Sequence, residues 1–192
     1  DGIRDRSPSR GLGDVYKRQV ETYVLSPRSN HPRVKYQMTP KRLLVVGHTP
    51  SLNTRRLFEA VVEGASSVEI ENVEVMASRP FDVQPKDVQA AQAVILGTTE
   101  NLGYMSGALK DFFDRIYYPC LEHTQGMPYA LYIRAGHDGT GTRRSIESIT
   151  SGLGWRAVQE PLICRGDWQD AFVAQCQELG TAMAAGLEMG IF

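Results

Sequence analysis

Small polar side chains are concentrated just after the first apolar run of the sequence, in the segment Gly47–Arg56. Thr49, Ser51, Asn53 and Thr54 contribute three hydroxyl groups and one amide there. If this segment joins a strand to a helix, the free N–H groups and the positive dipole of the helix end favour a bound phosphate. The same residues are also typical of an ordinary helix cap. The segment lacks the Gly-Lys-Ser/Thr ending of a P-loop and the glycine triplet of a dinucleotide fingerprint.

A second segment that could take part in binding or catalysis is Arg134–Thr142, which contains three glycines after another apolar run. His137 is its most interesting titratable residue, because an imidazole can donate a hydrogen bond in either protonation state. It is equally typical of an ordinary surface loop. Asp138 could cap the next turn, and Arg143–Arg144 could meet a phosphate of a nicotinamide nucleotide or simply cover a solvated helix face.

The cysteines predict neither a disulfide scaffold nor a metal site. Cys120, Cys164 and Cys176 are scattered, with no Cys-x-x-Cys and no paired histidine spacing. Cys120 and His123 could form a nucleophilic pair, although the sequence offers no obvious third partner.

These segments must be positioned by elements that alternate between short apolar runs and helical patterns from Arg42 onward. Strands are predicted over Leu43–Val46, Val68–Val75, Ala93–Leu96, Tyr129–Ile133 and part of Trp155–Cys164, and helices over Asn53–Ala65, Lys86–Gln92, Ser106–Tyr117, Thr142–Leu153 and Trp168–Met189. Five strands alternating with five helices predict a three-layer α/β sandwich with helices on both faces of a parallel sheet. The strand order 2-1-3-4-5 is one of the two common orders for such a sheet, and it places a ligand site between the first and third strands.

The most specific pattern lies between the third strand and the following helix, in Gly97–Arg115. It begins Gly-Thr-Thr-Glu-Asn-Leu-Gly-Tyr-Met-Ser-Gly-Ala-Leu-Lys, and Asp114 follows in the helix. It resembles the loop of the flavodoxin-like FMN-dependent NAD(P)H oxidoreductases, which include the NADPH-dependent FMN reductases and the flavodoxin-like quinone reductases. Their loop typically runs Gly-Thr/Ser-Pro-x-x-x-Gly-x-x-Ser-Gly-x-Leu/Met-Lys. The match is good over Ser106–Lys110, whereas Thr99 replaces the usual proline.

This resemblance extends over roughly residues 41–190 and implies a flavodoxin-like fold that binds FMN. It implies hydride transfer from NADPH or NADH to the flavin and on to a small acceptor such as a quinone, in a chain that could form a homodimer or homotetramer. The flavin carries the chemistry, so that a side-chain acid is not strictly required, and His137 is the candidate catalytic residue. The expected cofactor-binding residues are Thr49, Ser51, Leu52, Asn53 and Thr54 in the first loop, Thr99, Glu100, Asn101, Leu102, Gly103, Tyr104 and Met105 in the second, and Gly136, His137, Asp138 and Gly139 in the third.

Three other functions are compatible with this fold to different degrees. A flavodoxin-type electron carrier would bind FMN without a substrate of its own, but such carriers tend to be strongly acidic so that they dock on basic partners. A phosphoacceptor signalling domain would need acidic residues after the first and third strands, and neither Gly47–Thr49 nor Gly97–Thr99 contains any. A scaffold that has lost its cofactor is the remaining alternative.

The first 37 residues differ in character from the rest of the sequence. Residues 1–37 are polar and aperiodic, and Ser9–Gln19 is similar to the translation of a transposase sequencing adapter. We expect residues 1–37 to be a disordered, non-native leader, Met38 to be the natural start, and residues 38–192 to form one flavodoxin-like FMN-binding domain. A natural basic tail is the alternative.

The charge of the expected domain differs from that of the whole chain. Residues 1–37 carry eight Lys or Arg and four Asp or Glu, so residues 38–192 keep 13 of the 21 basic and 18 of the 22 acidic side chains, a formal charge of −5. A mildly acidic domain without a basic block binds nucleic acid poorly. No apolar run approaches the roughly 20 residues that cross a bilayer. We therefore expect a cytoplasmic protein with no nucleic-acid or membrane partner.

Overall fold

Strands and helices alternate along the computed structural model, which describes residues 39–192. The strands are β1 (Lys41–Gly47), β2 (Val73–Ser78), β3 (Ala93–Asn101), β4 (Tyr104–Met105), β5 (Pro128–Ala135), β6 (Arg156–Ala157) and β7 (Leu162–Arg165). The helices are α1 (Leu52–Ala65), α2 (Pro85–Ala90), α3 (Gly107–Cys120), α4 (Thr140–Gly152) and α5 (Ala171–Met189), and a short 3-10 turn covers Pro80–Asp82. The expected leader over residues 1–37 lies outside the described residues.

The central sheet is parallel and has the strand order β2-β1-β3-β5, with both β6 and β7 beside β5. The predicted order 2-1-3-4-5 is therefore confirmed, because β6 and β7 together occupy the fifth position. The break between them contains Pro161, which has no N–H group for a ladder. Among the strands of residues 39–192, only β4 runs antiparallel, as the second arm of a hairpin with the end of β3.

Helices cover both faces of the sheet, as the continuous apolar runs predict. In β1, Leu44 and Val46 belong to the core that α3 and α4 help to form, whereas Leu43 and Val45 belong to the core beneath α1 and α5. All four side chains are essentially inaccessible to solvent. The alternation of successive residues between two buried faces explains why this run contains no polar residue.

The predicted second strand begins too early in the sequence. The alternating pattern from Val68 predicts a strand there, but β2 starts only at Val73, and Val68 is almost fully exposed. The backbone amides of Glu71 and Asn72 donate to the carboxylate of Glu188 on α5, at 2.9 and 2.7 Å. A side chain more than a hundred residues away thus binds the two amides just before β2, and the amide of Ile70 turns back to the carbonyl oxygen of Ser67 at 2.9 Å.

The helices α1 and α5 pack very closely, because each contributes a glycine to the contact. A Cβ atom at Gly180 would lie 2.0 Å from the carbonyl oxygen of Val61, and one at Gly64 would lie 2.0 Å from the carbonyl oxygen of Gln177. Since both obstacles are backbone atoms, no side-chain rearrangement can relieve the clash.

We expect Gly180→Ala to destabilise the protein by about 1–3 kcal/mol, because the added methyl group must push the two helices apart. The free energy of urea-induced unfolding measures this effect. Gly107→Ala is the matched control, since a Cβ atom there meets nothing within 4 Å. Equal stability of the two variants would show that the contact between α1 and α5 is looser than described.

Candidate functional site

A cleft of about 530 Å³ opens where β1, β3 and β5 end. The strand register pairs Gly47 with Gly97 and Thr99 with Arg134, so the three following loops leave the sheet at one edge. This is the edge at which open parallel sheets bind ligands. The cleft is lined by His48, Pro50, Ser51, Asn53 and Thr54 from the first loop, by Thr99, Glu100, Asn101 and Leu102 from the second, and by Arg134 and Gly136 from the third.

The first wall of the cleft is the N-terminal end of α1. Ser51 caps the helix: its hydroxyl accepts from the amide of Thr54 at 3.3 Å, and the hydroxyl of Thr54 accepts from the amide of Ser51 at 3.0 Å. This reciprocal cap leaves the amides of Leu52 and Asn53 as the helical donors without an intrahelical partner. The first turn contains no acidic residue. The wall therefore presents backbone donors and a positive helix end to the cleft.

The second wall is the hairpin formed by the end of β3 and by β4. Leu102 and Gly103 form its tip with φ values of 53° and 73°, and the side chain of Leu102 is fully exposed. The buried hydroxyl of Thr98 accepts from the amide of Ser106 at 3.1 Å, and the Ser106 hydroxyl accepts from the amide of Leu109 at 3.2 Å. Ser106 thus closes the base of the hairpin and caps α3, so its position in the sequence motif has a structural reason.

The third wall is the loop from Gly136 to Gly139, and Glu100 ties it to the hairpin. The two carboxylate oxygens of Glu100 accept from the amides of His137 at 2.8 Å and Gly139 at 3.2 Å. Gly139 is buried with φ 72°, and a Cβ atom there would lie 2.9 Å from the side chain of Ile163. Both the backbone conformation and the space at this position require glycine.

Arg134 begins the third polar segment and lines the cleft, although it was not among the residues proposed for cofactor binding. Its guanidinium donates to three carbonyl oxygens, those of Ala135 at 2.6 Å, Cys164 at 3.0 Å and Gly166 at 2.6 Å. No carboxylate lies within ion-pair distance of it among residues 39–192. The sequence feature that could have identified it is an arginine at the end of an otherwise apolar strand, because a half-buried charge needs hydrogen-bond partners.

His48 also lines the cleft without having been proposed for cofactor binding. Its backbone amide donates to the carbonyl oxygen of Gly97 at 3.0 Å and so extends the pairing of β1 with β3. Its Nδ1 atom is buried and has no hydrogen-bond partner among the described residues. Burial lowers the pKa of His48 below its ordinary value near 6.5. His48 also lines a neighbouring cavity of about 270 Å³, together with Thr49 and Phe81.

The structure brings eight of the sixteen residues proposed for cofactor binding into the wall of the cleft, namely Ser51, Asn53, Thr54, Thr99, Glu100, Asn101, Leu102 and Gly136. Thr49 faces the neighbouring cavity, Leu52 and Tyr104 are exposed beside the cleft wall, and Met105 is buried in the core. His137 and Asp138 are exposed, and the Asp138 carboxylate accepts from the amide of Thr140 at 2.9 Å. That hydrogen bond lowers the pKa of Asp138. The cofactor contacts of these residues and the catalytic role of His137 stay predictions.

The alternative nucleophile is not supported by its surroundings. Cys120 is fully buried, its thiol donates to the carbonyl oxygen of Pro85 at 3.7 Å, and burial raises its pKa to about 11. A thiol in this state is protonated near neutral pH and unreactive. Within residues 39–192 no group of three potential metal ligands lies together, and no helix is long and apolar enough to cross a membrane.

Comparisons with known proteins agree with the architecture of the fold. The chain has the flavodoxin-like fold. It is similar to a flavodoxin from an archaeon, with a TM-score of 0.65 and 22% identity over 76% of this chain and 98% of the other. It is also similar to a flavodoxin, WrbA-like protein from Agrobacterium tumefaciens, with a TM-score of 0.59 and 18% identity over 76% of this chain and 96% of the other.

Sequence comparison points in the same direction but covers less of the chain. A flavodoxin of Aquifex aeolicus strain VF5 is 29% identical over 112 residues, which are 58% of this chain. The match spans 60% of the length of that relative. No family model matches the chain.

The lowered pKa of His48 predicts a pH dependence of stability for the protein without a ligand. Because burial disfavours the protonated imidazole in the folded state, the unfolded state takes up a proton at a higher pH than the folded state does. Stability should be fully present above about pH 6.5 and should fall as the pH drops below it towards the lowered folded pKa. We expect His48→Gln to lose less melting temperature between pH 7.5 and pH 5.5 than the wild type.

His123→Gln is the matched control, since this histidine is exposed in the turn after α3 and should leave the wild-type pH dependence unchanged. An equal loss of melting temperature on acidification in the His48→Gln variant and the wild type would show that His48 does not control this pH dependence.

Proposed function

We propose that the cleft binds FMN and that the protein is an FMN-dependent NAD(P)H oxidoreductase. The observation that carries this proposal is the meeting of a helix N-terminus and two loops with exposed backbone in one cleft of about 530 Å³. That volume lies in the range of ordinary cofactor sites, roughly 300–1,000 Å³. FMN has a dianionic phosphate at one end and a flat ring with a polar edge at the other, and the cleft offers complementary groups for both.

The N-terminal end of α1 fits the phosphate. The amides of Leu52 and Asn53 are available because the cap between Ser51 and Thr54 satisfies the neighbouring donors. The Asn53 side chain is exposed and lines the cleft, so its amide group can add another donor. The buried, unpartnered Nδ1 of His48 supplies a further polar atom beside the same turn. Backbone donors at a positive helix end hold phosphate without requiring a lysine.

The hairpin and the third loop fit the ring. Asn101 and Leu102 line the cleft from the hairpin, and Gly136 lines it from the opposite loop. Leu102 and Tyr104 are exposed apolar side chains beside this end of the cleft, and a flat aromatic ligand would cover part of their surface. A backbone without a side chain at Gly136 permits close approach to the polar edge of the ring.

Bound FMN would supply the redox chemistry, accepting a hydride from NADPH or NADH and passing electrons on to a quinone or another small acceptor. The chain's own part is to orient both reactants and to complement their charge. Arg55 is exposed at the helix end, where it can meet a phosphate of a nicotinamide nucleotide, whereas Arg56 pairs with Asp170 and Arg79 pairs with Asp82. The exposed His137 can donate a hydrogen bond to the acceptor from the third loop.

A flavodoxin-type electron carrier is the second candidate. The similarity to the Aquifex flavodoxin favours it, since that relative is a flavodoxin by name. The modest net charge favours the enzyme, because residues 38–192 carry a formal charge of only −5. A carrier that docks on basic partners needs an acidic rim around its flavin.

We expect Ser51→Asp to weaken FMN binding by about a hundredfold or more, because its carboxylate would face the phosphate at close range. Aspartate caps helices as well as serine does, so folding should be preserved. Calorimetric titration of the protein freed of flavin measures the affinity. Ser148→Asp, on the exposed face of α4, is the matched control and should bind FMN one-to-one as the wild type does. Unchanged affinity of the Ser51→Asp variant would place the phosphate elsewhere.

We also expect the FMN-loaded protein to oxidise NADPH or NADH over many turnovers with a soluble quinone as acceptor. Stopped-flow mixing without oxygen follows the loss of flavin absorbance directly. His137→Ala should slow turnover by up to about a hundredfold if this imidazole assists the acceptor, and His123→Ala should not. If neither nicotinamide bleaches the flavin within minutes while a one-electron donor protein does, the carrier function replaces the enzyme.

A further inference from the structure

Arg134 is a positively charged side chain in the wall of the cleft that no carboxylate neutralises. It lies one residue before the end of β5, is half-buried, and lines the cleft together with Ser51 and Asn53 from the start of α1. Among residues 39–192, no Asp or Glu lies within ion-pair distance of its guanidinium. A half-buried charge without a counter-ion is costly, and a bound anion would remove that cost.

The guanidinium of Arg134 is held in a fixed orientation. Its Nη1 atom donates to the carbonyl oxygens of Ala135 at 2.6 Å and Cys164 at 3.0 Å, and its Nη2 atom donates to that of Gly166 at 2.6 Å. Its Cζ atom lies over the ring of Phe172, 5.8 Å from the ring centroid. The side chain cannot turn away without breaking three hydrogen bonds, so a ligand in the cleft meets a group that is already in place.

Two donors of this guanidinium remain free after these contacts. An arginine side chain has five N–H groups, and the three carbonyl oxygens account for both on Nη1 and for one on Nη2. Within residues 39–192, the N–H of Nε and the second N–H of Nη2 have no hydrogen-bond partner. Nε and Nη2 share one edge of the planar group, which is the arrangement that donates paired hydrogen bonds to two oxygens of a carboxylate or phosphate.

The other ionisable residues in the wall of the cleft leave this edge of Arg134 unoccupied. Glu100 is acidic, but its carboxylate accepts from the amides of His137 at 2.8 Å and Gly139 at 3.2 Å. His48 is basic, but burial lowers its pKa below the ordinary value. Near neutral pH, the positive side-chain charge in the wall of the cleft is therefore that of Arg134.

We propose that the Nε–Nη2 edge of Arg134 is an anion-binding element of the cleft that receives two oxygens of a phosphate or a carboxylate. The proposal rests on the proposed FMN function and names the residue that neutralises a charged ligand of that site. Two such ligands carry a suitable group, namely FMN through its phosphate and a small electron acceptor through a carboxylate. Because the charge of Arg134 is neutralised only by an anion, the cleft prefers an anionic ligand over a neutral one of the same shape.

The first test uses the flavin-free full chain and needs no substitution. The nitrogen–proton NMR signal of Arg134 Nε is followed while sodium phosphate or sodium benzoate is added at constant ionic strength. We expect a saturable shift with at least one of these anions, because Nε–H gains an acceptor. The Nε signal of Arg156 should not shift, since this residue is exposed beside Pro128 at the other end of β5. An unchanged Arg134 signal with both anions would overturn the proposal, whether or not the protein binds FMN.

The second test distinguishes the phosphate of FMN from the carboxylate of an acceptor by means of Arg134→Met. If the phosphate is the ligand, this variant should bind FMN about tenfold or more weakly and should bind riboflavin, which lacks the phosphate, as the wild type does. If the carboxylate is the ligand, the FMN-loaded variant should bind a benzoquinone carboxylate about tenfold or more weakly and its methyl ester unchanged. The absorbance of the flavin reports both kinds of binding.

Arg156→Met is the matched control for net charge and should leave all four affinities at their wild-type values. Equal weakening of the charged and the neutral ligand of both pairs would show that Arg134 only supports the neighbouring backbone, and would overturn the proposal. Failure of the wild type to bind FMN would instead refute the proposed function, and the NMR titration would still decide whether Arg134 binds an anion.

Discussion

The parallel register of β1, β3 and β5 is the constraint on which the rest of the structure depends. It aligns Gly47 with Gly97 and Thr99 with Arg134, so that three loops far apart in sequence leave the sheet at one edge. Helices on both faces leave no room to shift a strand, because a slip of one residue would exchange its two buried faces. The cleft is therefore a consequence of core packing, and the loops only determine what it can bind.

Within this frame, each loop is fixed by hydrogen bonds that also decide which donors remain available. Ser51 and Thr54 satisfy each other and leave the next amides of α1 exposed. The carboxylate of Glu100 accepts hydrogen bonds from two amides of the loop after β5. At the hairpin tip, the side chain of Leu102 is exposed. As a result, the free amides of α1 make one end of the cleft positive, and the carboxylate of Glu100 makes the end beside the hairpin negative. Such polarity is what a ligand with a phosphate and a reducible ring would meet.

How much of this the sequence could predict depends on the range of the interactions involved. The strands β1, β3 and β5 were predictable, because burial on both faces leaves a continuous apolar run that needs no knowledge of the partner. The late start of β2 was not, since it follows the start of its partner β1, which pairs Lys41 with Val73, and the fold brings the carboxylate of Glu188 to the preceding amides from the far end of the chain. The division of the fifth strand likewise reflects Pro161 together with its edge position.

In the candidate site, too, local features could be predicted from the sequence, whereas contacts between distant segments could not. Residues in the polar segments could be proposed from composition alone, but the two bonds of Glu100 and the burial of His48 Nδ1 require the loops to be placed relative to one another. Arg134 was hidden at the end of an apolar strand, and its three carbonyl partners come from its own strand and from the β7 region. Met105 was grouped with the cleft from its position in the motif, whereas the hairpin directs it into the core.

If the three loops act as one FMN site, all of them should respond together to the ligand. Amide NMR of the flavin-free full chain during titration with FMN follows each loop separately. We expect saturable shifts at one-to-one stoichiometry in all three walls together, at Leu52 and Asn53, at Asn101–Gly103 and at Gly136–Gly139. A second cavity, of about 350 Å³ and lined by Lys41 and Thr124–Pro128 among others, should show none. Shifts confined to that cavity, or to one of the three loops alone, would show that the three loops do not form one FMN site.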